Sequence, residues 1–149
     1  MNAFELLKKD HKKVSDLFKQ LEETTERAVK TREELFGKLK EELDIHARIE
    51  ETIFYPAIKE AEETHEITLE AIEEHNVVKQ LLSELDSLPV SDETWTAKLT
   101  VLKENVEHHV EEEEGEMFKG ARDVLSAEQV EELGARMEAA KQKSAASGG

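Results

Sequence analysis

Residues 35–53 read LFGKLKEELDIHARIEETI, and their apolar side chains recur at intervals of three and four residues. This spacing places Leu39 and Leu43 on one face of an α-helix, with lysine and glutamate on the other faces. The apolar face also carries His46 and Glu50, which are residue types that a hydrophobic core seldom accepts. The stretch therefore predicts an amphipathic helix that directs two ionisable side chains into the protein interior.

The same periodicity runs through three more long segments, which predicts an all-α fold. The clearest turn is LPVSD at residues 88–92, and a capping box at Ser126–Gln129 opens a short fifth helix that ends near Lys141. We predict an up-down-up-down four-helix bundle with a short C-terminal fifth helix, in which the bundle spans residues 1–143 and residues 144–149 form a flexible tail. The four long segments are expected to begin near Asn2, Thr31, Thr64 and Ser91, with the first running to about Val29.

The composition excludes several classes of function. The chain has no cysteine, which rules out disulfides, thiolate metal sites and cysteine nucleophiles. Its formal net charge is −16, and such an acidic balance favours neither nucleic acid nor an anionic membrane as a partner. No apolar run is long enough for a signal peptide or a membrane span, so we expect a cytoplasmic protein. Nothing in the sequence marks an oligomer interface.

Each of the four predicted long helices directs one histidine into the core. Placed at about 1.5 Å per residue, these histidines and two inward glutamates fall at one level near the middle of the bundle. A single core histidine is usually a hydrogen-bonded structural residue. If the chain is only a structural acidic bundle, these four histidines and two glutamates must all face the core without a function. Buried carboxylates without a basic partner on their own helix face are costly, whereas a metal ion satisfies imidazoles and carboxylates together. The candidate metal ligands are His11, His46, Glu50, His75, His109 and Glu113.

Two pairs of these residues have the spacing His-x-x-x-Glu, namely His46 with Glu50 and His109 with Glu113. Residues four apart lie on one helix face, so both side chains reach one centre or two adjacent ones. A glutamate can bridge two metals, and two such pairs with two single histidines suit a dinuclear site better than a mononuclear one. Imidazole and carboxylate without thiolate favour two iron ions, with manganese or zinc as alternatives. The ferritin-like motif is not present, because the only Glu-x-x-His in the sequence is Glu62–His65.

Four stretches of the chain resemble the hemerythrin-like, or HHE cation-binding, family. They are KKDHKKV at 8–14, DIHARIEETIFYP at 44–56, IEEHNVV at 72–78 and VEHHVEEEEGEMF at 106–118, and the resemblance extends over about residues 3–125. The resemblance implies a non-haem di-iron centre within a four-helix bundle. In the family pattern the four histidines are terminal ligands, and Glu50 and Glu113 bridge the irons. Family members carry or sense dioxygen, sense iron, or act on peroxide or nitric oxide.

The chain departs from the oxygen-carrying hemerythrins on its third and fourth helices. Those proteins have a second histidine one turn from the counterpart of His75, where this chain has Ala71 or Lys79. They also have a His-x-x-x-x-Asp pair where this chain has His109 and Glu113. One imidazole fewer implies an open coordination position, which reactive metal sites keep. The resemblance thus favours sensing or peroxide handling, including peroxide-decomposing enzyme activity, over oxygen carriage; the alternative is a module that senses or buffers iron without redox turnover.

Several neighbours of the candidate ligands keep two interpretations open. Glu51 and Glu114 are expected at the surface, unless one swings in as an extra ligand. Glu74 is either a ligand or a partner of a ligand. His108 could take the place of His109, but it lies on a polar helix face, which predicts a position at the rim or next to a ligand. Tyr55 lies about half a helical turn from the inward face, so its phenol reaches the metal only if the proline that follows it distorts the helix.

Overall fold

The computed structural model describes the backbone of residues 1–148 and the side chains of residues 1–144. Over this part of the chain all regular structure is helical. The second and fourth long helices are each interrupted by one π-helical turn, and a further helix follows at the C-terminal end. The elements are α1 (Ala3–Glu22), α2 (Val29–Ile49), the first π turn (Glu50–Phe54), α3 (Tyr55–Ile58), α4 (His65–Asp86), α5 (Glu93–Glu112), the second π turn (Glu113–Met117), α6 (Phe118–Val124) and α7 (Ala127–Gly148).

The prediction of an up-down-up-down helical bundle is confirmed. Sequential helices pack as antiparallel neighbours, α1 against α2 and α4 against α5, and α2 also contacts α4. The C-terminal helix α7 packs outside this bundle, on α1, α2 and the first π turn. The backbone of α7 continues past Lys141, where the sequence predicted the end of this helix. The predicted flexible tail at residues 144–149 falls mostly on residues whose side chains lie outside the described part. No helix in the described residues is both long enough and apolar enough to cross a membrane.

Local chemistry explains where the helices begin and end. The Asn2 side chain accepts the N–H of Glu5 while the Glu5 side chain accepts the N–H of Asn2, which is a complete capping box for α1. The first helix is shorter than predicted, because the turn after Glu22 is held by a buried arginine. The Arg32 guanidinium donates to the Thr24 hydroxyl at 2.9 Å and, across the bundle, to the Val90 carbonyl at 2.6 Å.

The buried apolar residues form two clusters with the candidate site between them. Along α1, Leu7 belongs to one cluster and Val14 to the other, and the buried His11 separates them. Each of the other long helices likewise has one cluster on either side of its own buried histidine. We call the two clusters the Phe54 cluster, which includes Phe4, Ile49, Ala71, Met117 and Phe118, and the Trp95 cluster, which includes Leu39, Leu43, Leu82, Leu102 and Val106.

Candidate metal centre

Both glutamates of the site open a π turn. Glu50 begins the first π turn, in which the Tyr55 N–H donates to the Glu50 carbonyl five residues back. Pro56 has no N–H to donate to the carbonyl four residues before it, and this favours the wider turn. Glu113 begins the second π turn, and the Phe118 N–H donates to the Glu113 carbonyl in the same way. Single π turns within α-helices occur frequently at functional sites.

One half of the site consists of His11 and His46 with the two glutamates. His11 Nε2 lies 3.1 Å from Glu113 Oε1, and His46 Nε2 lies 3.2 Å from Glu50 Oε1. One nitrogen or oxygen from each of these four residues falls within 4.8 Å of the others. The glutamates are almost completely buried, and both imidazoles are buried as well. The four side chains therefore converge on one small volume in the bundle interior.

The other half consists of His75 and His109 with the same two glutamates. His75 Nε2 lies 3.1 Å from Glu50 Oε1, and His109 Nε2 lies 3.1 Å from Glu113 Oε2. These histidines and Glu50 form a second group whose potential ligand atoms fall within 4.8 Å of one another. Each glutamate thus lies between the two halves, and all six candidate ligands of the sequence analysis are brought together in one layer.

The centre of this layer is rich in polar atoms without hydrogen bonds. Among the described residues, His11 Nε2, His46 Nε2, Glu113 Oε1 and both carboxylate oxygens of Glu50 are buried without a hydrogen-bond partner. They approach one another closely, but not with the angles that hydrogen bonds require. Leaving such a group buried and unsatisfied costs about 1–3 kcal/mol, and more when it is charged. A set of imidazole nitrogens and carboxylate oxygens arranged in this way fits a metal cation.

The outward nitrogen of every site histidine is paired with a carboxylate from another helix. Histidines that bind metals commonly donate their second N–H to a carboxylate, which fixes the ring orientation and makes the imidazole a better ligand. This pairing therefore leaves all four Nε2 atoms directed to the centre. The Nδ1–oxygen distances are 2.6 Å from His11 to Glu114, 2.9 Å from His46 to Asp10, 2.7 Å from His75 to Glu51 and 2.8 Å from His109 to Glu74.

The two halves are equivalent in pattern. The His11 and His46 ring centroids are 4.9 Å apart at 62°, and the His75 and His109 centroids are 4.9 Å apart at 61°. In each half, the acidic residue directly before one histidine pairs with the other histidine: Asp10 precedes His11 and pairs with His46, and Glu74 precedes His75 and pairs with His109.

The acidic residue directly after each buried glutamate pairs with a histidine of the opposite half. Glu51 follows Glu50 and pairs with His75, and Glu114 follows Glu113 and pairs with His11. The site is thus built twice from the same sequence pattern, once on α1 and α2 and once on α4 and α5.

Tyr55 breaks this equivalence, because the matching residue of the other half is Phe118. The Tyr55 hydroxyl donates to Glu113 Oε2 at 2.8 Å and lies 3.2 Å from His75 Nε2 and 3.3 Å from His109 Nε2. The residue inserted by the first π turn sets the helix back by about 100°, which turns the phenol towards the site. The sequence analysis made this contact conditional on a distortion at the following proline, and the π turn is that distortion.

Asp10 is the residue of the site that the sequence analysis missed. It is 3% exposed, and it accepts a hydrogen bond from His46 Nδ1 and another from the Lys141 ammonium. A signal was present, because an acidic residue directly precedes an inward histidine twice, at Asp10 and at Glu74. The helical pattern alone does not reveal that each of these residues contacts the neighbouring helix rather than water.

The structure places the neighbours whose roles the sequence left open. Glu51 and Glu114 are partly buried rather than exposed, and each accepts from the outward nitrogen of a histidine. Glu74 is a partner of His109 in the same way. The side chain of His108 is 64% exposed and lies 3.9 Å from Glu74 Oε2, which agrees with a position at the rim.

The electrostatics of the site without a metal depend on histidinium–carboxylate pairs. Burial lowers the pKa of His46, but the carboxylates of Glu50 and Asp10 outweigh burial and raise the pKa well above its usual value. The pKa of His109 rises to about 10, because its carboxylate partners outweigh burial there too. Burial raises the pKa of Glu113, but its close contacts with the Glu50 carboxyl group and with His109 lower the pKa well below its usual value. A metal cation would take the place of these protons.

A cavity of about 40 Å³ adjoins the site on the side of the Trp95 cluster. All four site histidines line it, together with apolar side chains such as Val14, Leu82 and Val106. Asp44 and Lys79 also line the cavity, and because both are partly exposed it reaches the surface between α2 and α4. Its size admits a molecule of roughly two or three heavy atoms.

The sequence of the chain matches the family described as the hemerythrin HHE cation-binding domain over residues 2–121. The chain belongs to the hemerythrin HHE cation-binding family. The resemblance stated from the sequence is therefore confirmed. Domains of this family bind metal cations, and the groups of histidine and glutamate described above agree with that property. The matched region contains all six candidate ligands and both π turns, whereas α7 lies beyond its last residue.

Two named proteins are similar to this chain over most of its length. It is 30% identical over 143 residues to a protein of a Nostoc species named DNA nickase, a match that covers 96% of this chain and 40% of that protein. The chain thus spans less than half of the Nostoc protein. It is 34% identical over 143 residues to Mycobacterium tuberculosis Rv2633c, a match that covers 93% of this chain and 84% of the relative.

A solved structure has the same fold over almost the whole chain. It is the crystal structure of an HHE cation-binding domain-containing protein from Mycobacterium kansasii, a homologue of Rv2633c. The TM-score is 0.85 at 32% sequence identity, and the match covers 99% of this chain and 89% of that one. Because the match covers nearly all of this chain, the shared fold extends past residue 121, where the family match ends.

Proposed function

We propose that this HHE domain holds two metal ions that share its buried glutamates. His11 and His46 would bind one ion, and His75 and His109 would bind the other. Glu113 would bridge them, since its two oxygens face histidines of opposite halves at 3.1 Å. The observation that carries this proposal is the set of buried donor atoms without hydrogen bonds at the centre of the site. Four carboxylate-paired imidazoles around that set support it further.

We propose iron as the metal in both positions, with manganese or zinc as the alternatives. The donors are imidazole and carboxylate without thiolate, a set that suits iron, manganese and zinc. Membership of the hemerythrin family favours iron among these three. Bound iron would supply redox chemistry towards dioxygen, peroxide or nitric oxide.

The surroundings of the site favour a small, weakly polar molecule that is sensed or turned over rather than carried. The cavity beside the histidines is narrow and mostly apolar, which suits a molecule of two or three heavy atoms. The Tyr55 hydroxyl holds a proton next to Glu113 Oε2 in one half of the site. The extra imidazole of the oxygen carriers has no counterpart here, because Ala71 packs in the Phe54 cluster and the Lys79 ammonium contacts Glu51.

A module that senses or buffers iron is the second candidate function. It is favoured by the burial of charged groups in the centre, because metal that binds only the folded chain stabilises that chain. Iron occupancy would then change the stability of the fold, and no substrate would be turned over. The activity in the name of the Nostoc relative has no support here: the net charge of −16 disfavours a DNA backbone, and more than half of that protein lies outside the match.

Anaerobic loading with Fe²⁺ followed by metal counting tests the centre. We expect two irons per chain in the wild type and fewer in His109→Ala. The matched control is His108→Ala, which removes the adjacent, exposed imidazole and should leave the count at two. Fewer than one iron per chain in the wild type would contradict the proposal.

Addition of peroxide, air or nitric oxide to the loaded protein separates the two functions. Consumption of peroxide over many turnovers, or a change of the optical spectrum with one of these molecules, supports the redox function. If the melting temperature follows iron loading while peroxide persists and the spectrum stays unchanged, iron sensing or buffering is the better assignment.

A further inference from the structure

The C-terminal helix contacts the metal centre through one carboxylate. Lys141 on α7 donates to Asp10 Oδ1, and Asp10 Oδ2 accepts from His46 Nδ1 at 2.9 Å. A candidate metal ligand is therefore connected to α7 by two successive polar contacts. The family match ends at residue 121, so this contact comes from outside the matched region.

Asp10 depends on its protein partners more than the other three paired carboxylates do. Its side chain is 4% exposed, whereas those of Glu51, Glu74 and Glu114 are 26%, 28% and 34% exposed. Water can solvate an exposed carboxylate that has lost a partner, but it does not reach a buried one. A buried carboxylate without a partner is costly, so removal of the Lys141 ammonium affects Asp10 strongly.

Packing places α7 firmly enough to hold Lys141 near Asp10. Val130, Leu133 and Met137 of α7 belong to the Phe54 cluster. Gly134 lies against the N-terminal backbone so closely that a Cβ there would clash with the Met1 carbonyl oxygen. Lys141 follows two helical turns later, in register with Asp10 on α1.

We propose that Lys141 is a positioning residue of the metal centre, and that docking of α7 is coupled to occupancy of the metal position at His11 and His46. This inference rests on the metal centre proposed above. The ammonium fixes the Asp10 carboxylate, which keeps His46 Nε2 directed to the centre. Loss of an outer partner of a ligand costs about 10–100-fold in metal affinity. By thermodynamic linkage, the metal stabilises α7 docking by the same factor that α7 contributes to metal affinity.

Anaerobic titration of the full chain with Co²⁺ tests the positioning role. Because Lys141 acts on His46 through Asp10, we expect the lower end of this range in Lys141→Met: one of two Co²⁺ ions should bind about 10-fold more weakly, with an altered visible spectrum for that ion only. Lys141→Arg restores the charge and should restore both the affinity and the spectrum. Lys79→Met is the comparison, because Lys79 contacts Glu51 as Lys141 contacts Asp10, but at a more exposed carboxylate. Water can solvate Glu51, so we expect a smaller loss of affinity in Lys79→Met than in Lys141→Met. The control is Lys143→Met, which removes an exposed lysine of the same helix and should retain wild-type affinity.

Hydrogen exchange tests the coupling without relying on the titration. In the wild type, amides of residues 127–144 should exchange more slowly with Co²⁺ than without it. In Lys141→Met this metal-dependent slowing should disappear from α7 while it persists in α4.

The outcomes separate this inference from the proposed function. If Lys141→Met binds both ions as the wild type does, or if the metal-dependent protection of α7 persists in it, the inference is wrong and the metal centre stands. An equal loss of affinity in Lys79→Met would show that α7 has no special role. A wild type that binds fewer than one metal per chain would overturn the centre and the inference together.

Discussion

Replacement of Glu113 by glutamine should remove most of the stability that metal binding gives this domain. Glu113 is 1% exposed, and its two oxygens lie 3.1 Å from His11 Nε2 and 3.1 Å from His109 Nε2. Glutamine has almost the same shape but no charge, and only one of its two terminal atoms can bind a metal. Each metal position would therefore lose one anionic oxygen while the packing around the side chain is kept.

The expected effect can be stated as a shift of the melting temperature. One ion at a free concentration of 100 times its dissociation constant stabilises the folded chain by about 2.7 kcal/mol, so two ions contribute about 5 kcal/mol. For a chain of this size about 1 kcal/mol corresponds to roughly 2–4 °C, so metal loading should raise the wild-type melting temperature by about 10–20 °C. In Glu113→Gln we expect no more than about half of this gain, because at most one ion stays bound.

Calorimetry with and without a chelator, combined with metal counting after anaerobic Fe²⁺ loading, measures both quantities on one sample. The difference between loaded and metal-free protein is compared for each variant, so any change in the metal-free stability cancels. Glu111→Gln is the control, since Glu111 is an exposed glutamate of α5 two residues away. Two irons and a full thermal gain in Glu113→Gln would refute the bridging role.

Three further perturbations test other parts of the structure. Tyr55→Phe removes the hydrogen bond to Glu113 Oε2 and should lower the free energy of unfolding of the metal-free protein, measured in urea, by about 1.5–3 kcal/mol. The variant should still bind two irons after loading, and loss of an iron would instead identify the phenol as a ligand. In the metal-free protein the pKa of His109 is raised to about 10, so its stabilising effect is complete below the unfolded value of about 6.5 and is lost as the pH rises towards 10. The melting temperature in chelator should therefore fall between pH 7 and pH 10, and a flat or rising profile would contradict the pairing of His109 with carboxylates. Gly134→Ala should destabilise the chain by about 1–3 kcal/mol, because its Cβ would meet the backbone of the N-terminus. Gly37→Ala, whose Cβ meets no described atom within 4 Å, should instead stabilise α2 by up to about 1 kcal/mol, and equal effects of the two alanines on chemical denaturation would rule out this account of α7 docking.

The π turns show where sequence reasoning about helices reaches its limit. Pro56 signals that the second long helix is disturbed, because proline lacks the N–H that an α-helix needs at that position. It does not specify whether the helix kinks, ends or takes in one extra residue. The second π turn has no proline, and only Gly115 marks it in the sequence. The outcome depends on which arrangement lets Tyr55 and Phe118 pack in the Phe54 cluster, and that is a tertiary property.

The sequence by itself determined that one layer of the bundle contains four histidines and two glutamates. Helical periodicity fixes which residues of a helix share a face, and the lengths of the helices fix their height in the bundle. Neither property depends on how the helices are rotated against one another. The positions of His11, His46 and Glu50 in the interior therefore follow from local spacing, as do those of their counterparts on α4 and α5.

Only the tertiary structure decided which carboxylate pairs with which histidine. Asp10 reaches His46 on α2, and Lys141 reaches Asp10 from a helix more than a hundred residues away in sequence. Such contacts depend on the rotation and distance of neighbouring helices, which are set by side-chain packing in the two apolar clusters rather than by the period of any one helix. The local pattern supplied the inward donor atoms, and the packing of helices against one another supplied the partners that orient them.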